Sequence, residues 1–160
     1  MYKRQRQYST KIWTDRWKST EGHNHTKLFL HNPDPGKAKG ILRLSRGYLT
    51  TVIRAITGHN FLGKHQNTIN PLISKVCRFC LEDTETFHHY VADCPSLRQL
   101  RTDIFKDTPF PSNNTWSIQK LKLFILEPSI YNTLTSKHGL AKIERVPYEI
   151  ELPKDSDSSL

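Results

Sequence analysis

The chain has 160 residues, 36% of them hydrophobic, with a mean hydropathy of −0.62 and a formal net charge of +9. That length suits one domain of ordinary size plus tails, and no apolar run approaches the roughly 18 residues of a membrane span, so a second core and a membrane-spanning class are excluded. Residues 1–46 hold eleven Lys or Arg against Asp15, Glu21 and Asp34, a basic half of the kind that meets phosphate backbones or anionic lipid, or that serves only as a solvated face.

In chain order, residues 1–11 read as a basic, flexible N-terminus with Lys3, Arg4, Arg6 and Lys11 as candidate phosphate contacts. The opening residues lack the apolar stretch of a secretory signal, so an intracellular setting, nucleus or cytoplasm, is expected. Residues 12–75 read as a helical region with order beginning near Ile12. Trp13 and Trp17 are one turn apart, which puts both on one side of a helix, either anchoring it to the core or offering a base-stacking platform. The turn cluster Asn32-Pro33-Asp34-Pro35-Gly36 can start a helix, with Asp34 as cap and Pro35 at the first helical position. A short helix is predicted over 38–44. A stronger one is predicted over 46–57, with the apolar stripe Leu49, Val52, Ile53 and Ile56 and a stop at Gly58. Arg43 and Arg46 extend the set of candidate phosphate contacts. His59 and His65 read as hydrogen-bonded histidines rather than metal ligands.

Residues 76–106 carry the chemistry. All three cysteines of the chain, Cys77, Cys80 and Cys94, fall in one window with His88 and His89, which argues against a disulfide framework and for metal or redox chemistry. Two cysteines two residues apart form a knuckle in which both sulfurs reach one ion and backbone amides point at the thiolates. Three thiolates and one imidazole close a tetrahedron, the pattern of a structural Zn2+ site rather than a catalytic one. A redox pair of Cys77 and Cys80 is the alternative, and it leaves Cys94 and the histidines unexplained. Thr84 is expected to cap a helix over 85–92. On that helix His88 and His89 diverge by about 100°, so only one faces the ion, and the spacing leaves the choice open. Arg78 and Phe79, between the knuckle cysteines, can approach a nucleic-acid strand by charge and by stacking, or pack as a tip against the protein's own helices.

Leu97, Leu100, Arg101, Ile104 and Phe105 then repeat at helical spacing. Residues 107–146 read as a C-terminal helical region: a loop over 108–114 with Pro109 and Pro111, a cap at Thr115, and a helix with Trp116, Leu121, Phe124 and Ile125 that Pro128 stops. A further helix over 129–140 has weaker sequence support. Residues 147–160 are acidic and serine-rich and read as a disordered tail. The fold class expected is mainly α, a small helical domain with an inserted CCHC zinc knuckle and flexible termini.

Several spaced motifs occur in one order: Trp13-x-x-x-Trp17, Thr26-Lys27-Leu28-Phe29, Pro33-Asp34-Pro35-x-Lys37-Ala38, Leu42-x-Leu44-Ser45-Arg46, Thr57-Gly58-His59-x-x-Leu62-x-x-His65, and Asp93-Cys94-Pro95. Over residues 12–106 this resembles the C-terminal region of non-LTR (LINE, jockey-type) retrotransposon reverse transcriptase polyproteins, the part that follows the ribonuclease H domain. In that family the knuckle histidine stands five residues before the last cysteine, which implies Cys77, Cys80, His89 and Cys94 as ligands. The resemblance also implies a nucleic-acid-binding tail that holds RNA or target DNA beside a reverse transcriptase. Neither the polymerase aspartate pair nor the ribonuclease H carboxylate set can be assembled from this chain, so no enzymatic activity is expected. The expected function is therefore a zinc-knuckle module that binds RNA or single-stranded DNA. The alternatives are a zinc-stabilised protein-interaction scaffold and an element-derived fragment without a selected function.

Overall fold

The computed structural model describes residues 2–106 and 116–136, and these are mainly helical, as the sequence predicts. Helix α1 (Tyr2–Ser19) contains no Gly or Pro and begins at Tyr2 rather than near Ile12, so the basic opening is part of a helix. From Arg4 to Ser19 every side chain except those of Thr14 and Trp17 is exposed. Trp17 pins the helix by donating its indole N–H to the Leu30 carbonyl at 2.8 Å, and it stacks on His23. Helix α2 (Asn24–Phe29) carries Phe29 into the core.

Helix α3 (Pro35–Leu42) starts as the turn cluster requires, with the Asp34 carboxylate accepting from the Lys37 amide at 3.0 Å and Pro35 at the first position. Helix α4 (Arg46–Thr57) has the predicted limits and ends at Gly58, whose φ of 78° is the left-handed turn that favours glycine. Its buried face differs from the predicted stripe. Thr51, Val52, Ala55 and Ile56 are buried, while Ile53 is 46% exposed. Two residues the apolar stripe omits account for the rotation. Ala55 is small enough for close packing, and Thr51 satisfies its hydroxyl on the Gly47 carbonyl at 3.1 Å.

A short helix α5 (Gly63–Ile69) follows. A loop then closes on itself through one antiparallel bridge between Val76 and Thr84 and leads to α6 (Phe87–Ala92). A 3-10 turn over Pro95–Leu97 feeds α7 (Arg98–Phe105). Helices α8 (Ile118–Leu126) and α9 (Pro128–Thr135) complete the described fold. Ser117 caps α8, accepting from the Lys120 amide at 3.1 Å, while Thr115 lies outside the described residues. Trp116 precedes the helix instead of belonging to it, buried with its indole N–H on the Phe29 carbonyl at 2.9 Å. Pro128 stops α8 and also opens α9, because its missing N–H costs nothing at a first helical position. The predicted loop over 108–114, the helix beyond Ser136 and the tail over 147–160 lie outside the described residues.

The core is a run of rings that ties the two halves of the chain to the cysteine segment. Phe29 stacks on Phe87 at 5.6 Å, Phe87 meets Phe124 at 6.2 Å, and Phe124 meets Phe105 at 5.6 Å. Val52, Leu62, Val91, Leu121, Ile125, Ile130 and Leu134 are buried with them. Burying one such side chain stabilises by about 1.5–3 kcal/mol, so this continuous cluster is what holds α6 against α2 and α8. No helix among the described residues is long and apolar enough to cross a membrane.

Candidate metal centre

The four residues predicted as ligands come together. The donor atoms of Cys77, Cys80, His89 and Cys94 all lie within 4.8 Å of one another, and the group could hold a metal ion. Cys77 Sγ is 3.9 Å from Cys94 Sγ, and Cys80 Sγ is 3.3 Å from His89 Nε2. All three cysteines are free thiols, and Cys77 and Cys94 are buried.

Local backbone chemistry explains the convergence. The Cys77 amide donates to the Asp83 carbonyl at 2.7 Å and the Glu85 amide to the Lys75 carbonyl at 2.7 Å, which folds the loop into a narrow hairpin. Leu81, at φ 62°, makes the left-handed residue of its turn, and its amide returns to the Cys77 carbonyl at 2.9 Å. Thr86 caps α6 by accepting from the His89 amide at 2.9 Å. The sequence predicts Thr84 for this cap, but Thr84 is held by the bridge to Val76. The last turn of α6 delivers Cys94, whose amide donates to the His89 carbonyl at 2.8 Å.

The same helix decides between the histidines. His89 turns Nε2 to Cys80 and is buried, whereas His88 turns away, packing edge-on against Phe29 with its Nδ1 3.6 Å from Asp93. His59 and His65 meet each other ring to ring at 5.2 Å and do not join the cluster.

Two observations test whether these residues suit a cation. First, Cys77 Sγ and Cys94 Sγ lie within hydrogen-bonding reach of each other at 3.9 Å. The hydrogen bond from Cys94 outweighs burial and, with the Cys80 and Phe79 amides, draws the Cys77 thiol down to about 5; the same contact pushes Cys94 well above the usual thiol range. Such a thiolate, cradled by knuckle amides, is ready for a cation. Second, His89 Nδ1 is buried without a hydrogen-bond partner, and the nearest carboxylate oxygen, Asp83 Oδ2, stands at 3.6 Å. An imidazole that ligates through Nε2 needs Nδ1 protonated and facing an acceptor, and a carboxylate is a common one. The residues fit a metal ion.

Arg78 and Phe79 sit at the knuckle as predicted, but both are engaged within the protein. The Arg78 guanidinium grips Glu85 with Nε on Oε1 and Nη2 on Oε2, the latter at 2.8 Å. Glu85 also accepts from the Tyr90 hydroxyl at 2.7 Å, the Arg78 amide at 3.2 Å and the Gly63 amide at 2.5 Å. Burial alone would raise the Glu85 carboxyl, but Arg78, Tyr90 and Gly63 together hold it below its ordinary value. Gly63 is required here, since a Cβ would come 2.7 Å from the Ser74 carbonyl. Phe79 packs edge-on to Tyr90 at 5.0 Å. Sequence reasoning missed this network. Glu85 stands in the acidic run Glu82-Asp83-Thr84-Glu85, where nothing local distinguishes the one carboxylate that turns inward.

The remaining candidates lie elsewhere. Arg4, Arg6 and Lys11 are exposed on α1, Arg43 is exposed just after α3, and Arg46 opens α4, also exposed. Lys3 is in the first turn of α1, and its side chain lies outside the described residues. Among the described residues, none of Arg4, Arg6, Lys11, Arg43 and Arg46 forms an ion pair with a carboxylate. No protein-family model, curated protein or solved structure matches this chain, so the metal cluster and this uncompensated basic surface are the grounds for a functional reading.

Proposed function

We propose that the chain is a non-catalytic nucleic-acid-binding module whose fold is organised by one structural Zn2+. The observation that carries the metal half is the spacing of the four donors. A tetrahedral Zn2+, with sulfur at about 2.3 Å and nitrogen at about 2.0 Å, holds its ligands roughly 3.5–3.8 Å apart. The Cys77–Cys94 and Cys80–His89 separations of 3.9 and 3.3 Å bracket that range. When bound, zinc supplies the positive charge that keeps all three thiols deprotonated. Three sulfurs and one nitrogen fill its tetrahedron, which leaves no position for a reacting water.

Exposed bases without carboxylate partners support the nucleic-acid half. Arg4, Arg6, Lys11, Arg43 and Arg46, with Lys3, would contact phosphates of RNA or single-stranded DNA, giving binding that is salt-dependent and weakly sequence-selective. Arg78 and Phe79 leave that set, because Glu85 and Tyr90 hold them. An intracellular role beside a reverse transcriptase, as the resemblance to retrotransposon polyprotein tails implies, belongs to the same proposal.

Native mass spectrometry with and without a chelator, followed by anisotropy titrations of a labelled RNA at rising salt, tests both halves. One zinc per chain and an affinity that falls steeply with salt are expected. A metal-free folded chain under reducing conditions overturns the first half, and salt-independent or absent binding overturns the second. One observation favours a second reading, a protein-docking scaffold: Ile69, Leu72, Val76 and Leu81 are exposed apolar residues in and around the metal loop. Contacts made there would persist at high salt.

A further inference from the structure

Trp13 and Trp17 share a helix but not an environment. Trp17 is fixed by Leu30 and His23, whereas Trp13 is 61% exposed. Tryptophan is highly buried on average, so an indole left in water one turn from an anchored one calls for an explanation.

The charge around Trp13 supplies it. Helix α1 carries six basic residues and one acid, Asp15. Its first turn has no acid, although the helix dipole favours negative charge there, and Lys3 and Arg4 stand at that end instead. The first turn is therefore charged against the helix dipole, while Arg16 and Lys18 suit the last turn, so the excess positive charge at the N-terminal end is left to face a polyanion outside the helix. Seven residues back, Arg6 lies within about 20° of Trp13 around the helix and about 10 Å along it. Arg16, three residues on, lies about 60° away and about 5 Å along. The indole thus stands between two exposed guanidiniums on one stripe.

We propose that Trp13 is a base-stacking platform for single-stranded nucleic acid, with Arg6 and Arg16 on the flanking phosphates. This rests on the nucleic-acid reading above and adds to it the strandedness of the ligand and the residue that selects it. A duplex keeps its bases stacked on one another and offers the indole no free face, whereas a single strand does. An anionic lipid surface is disfavoured by the arrangement of apolar groups. Among the described side chains, Tyr8 and Ile12, the other exposed apolar groups of α1, point roughly 100° or more away from Trp13, so they do not join it in one apolar side to lay into a bilayer.

The test uses the full-length, zinc-loaded, reduced chain with three probes: a mixed-sequence single-stranded oligonucleotide, its duplex, and phosphatidylserine-containing vesicles. Trp13→Ala is expected to weaken single-strand binding by about five-fold or more, within the range for loss of one stacked base. Trp13→Phe restores most of that affinity, and duplex binding is unchanged by either. Equal single-strand affinity of the unaltered chain and Trp13→Ala overturns the stacking role while leaving the wider reading intact. Vesicle binding that depends on Trp13, without single-strand binding, overturns it in favour of a lipid surface. If the unaltered chain binds neither nucleic acid, the wider reading fails and the platform fails with it. Far-UV circular dichroism checks that the exposed substitution leaves the helices in place.

Discussion

The metal loop and helix α1 use the same residue types for opposite ends. In the loop, Arg78 and Glu85 neutralise each other, and Tyr90 and Gly63 complete the carboxylate's hydrogen bonds inside the fold. On α1, Arg4, Arg6 and Lys11 face water, and the helix is held through Trp17. Charge in the first region fixes a shape, whereas charge in the second faces water without a carboxylate to pair it. An arginine between two knuckle cysteines reads as a ligand-binding tip until the residue facing it is known.

The sharpest way to break this contrast is to remove the metal ligand set. If the proposed zinc organises the loop, Cys77→Ser should cost several kcal/mol, lose zinc and loosen the loop with α6 and α7, because metal binding would then be folding energy; urea denaturation and zinc stoichiometry read both. Arg78→Gln should cost about 3–5 kcal/mol, since it leaves Glu85 buried without its counter-charge. The same exchange at Arg6 should leave stability within about 0.5 kcal/mol and instead reduce the salt dependence of single-strand binding by about 0.7 in slope. If the two arginines behave alike in denaturation, the division between inward and outward charge is wrong.

Smaller effects refine the picture at the junction of the two regions. Trp17→Ala should cost about 1–2 kcal/mol through its lost hydrogen bond and packing, with α1 exchanging its amides faster, whereas Trp13→Ala should not alter exchange. His25 gives the smallest, and its sign follows from its surroundings. Burial lowers its pKa below 6.5, the hydrogen bond to the Ala55 carbonyl opposes this, and His88, Lys64 and His59 add to the lowering. The unfolded chain then binds the proton more tightly. The stability that neutral His25 provides is full above about pH 6.5 and is lost as pH falls toward the folded pKa. His25→Gln should flatten that part of the stability profile relative to the unaltered chain; an equal slope in both would remove His25 from the account.

The helix starts that could be read from the chain are those set by neighbours in sequence. Asp34 and Pro35 open α3 because a carboxylate and a fixed φ act within three residues. Gly58 ends α4 for an equally local reason. Helix α5 leaves no signature in the sequence because its seven residues, Gly63–Ile69, show no apolar period. The apolar stripe misplaces the α4 face at Ile53, because burial follows the approach of α2, α8 and α9 to this helix rather than hydrophobicity along the stripe.

By itself the sequence determined the candidate ligand types and their spacing, because a tetrahedral thiolate site can be assembled from two sulfurs a knuckle apart and two further donors nearby in the chain. It also determined the helical class and the concentration of positive charge in the first 46 residues. Only the tertiary structure decided that His89 and not His88 turns to the thiols, that Arg78 is spent on Glu85, and that Trp13 stays in water while Trp17 does not. Each of these depends on which distant surface lies opposite a side chain, and packing sets that relation where sequence spacing cannot.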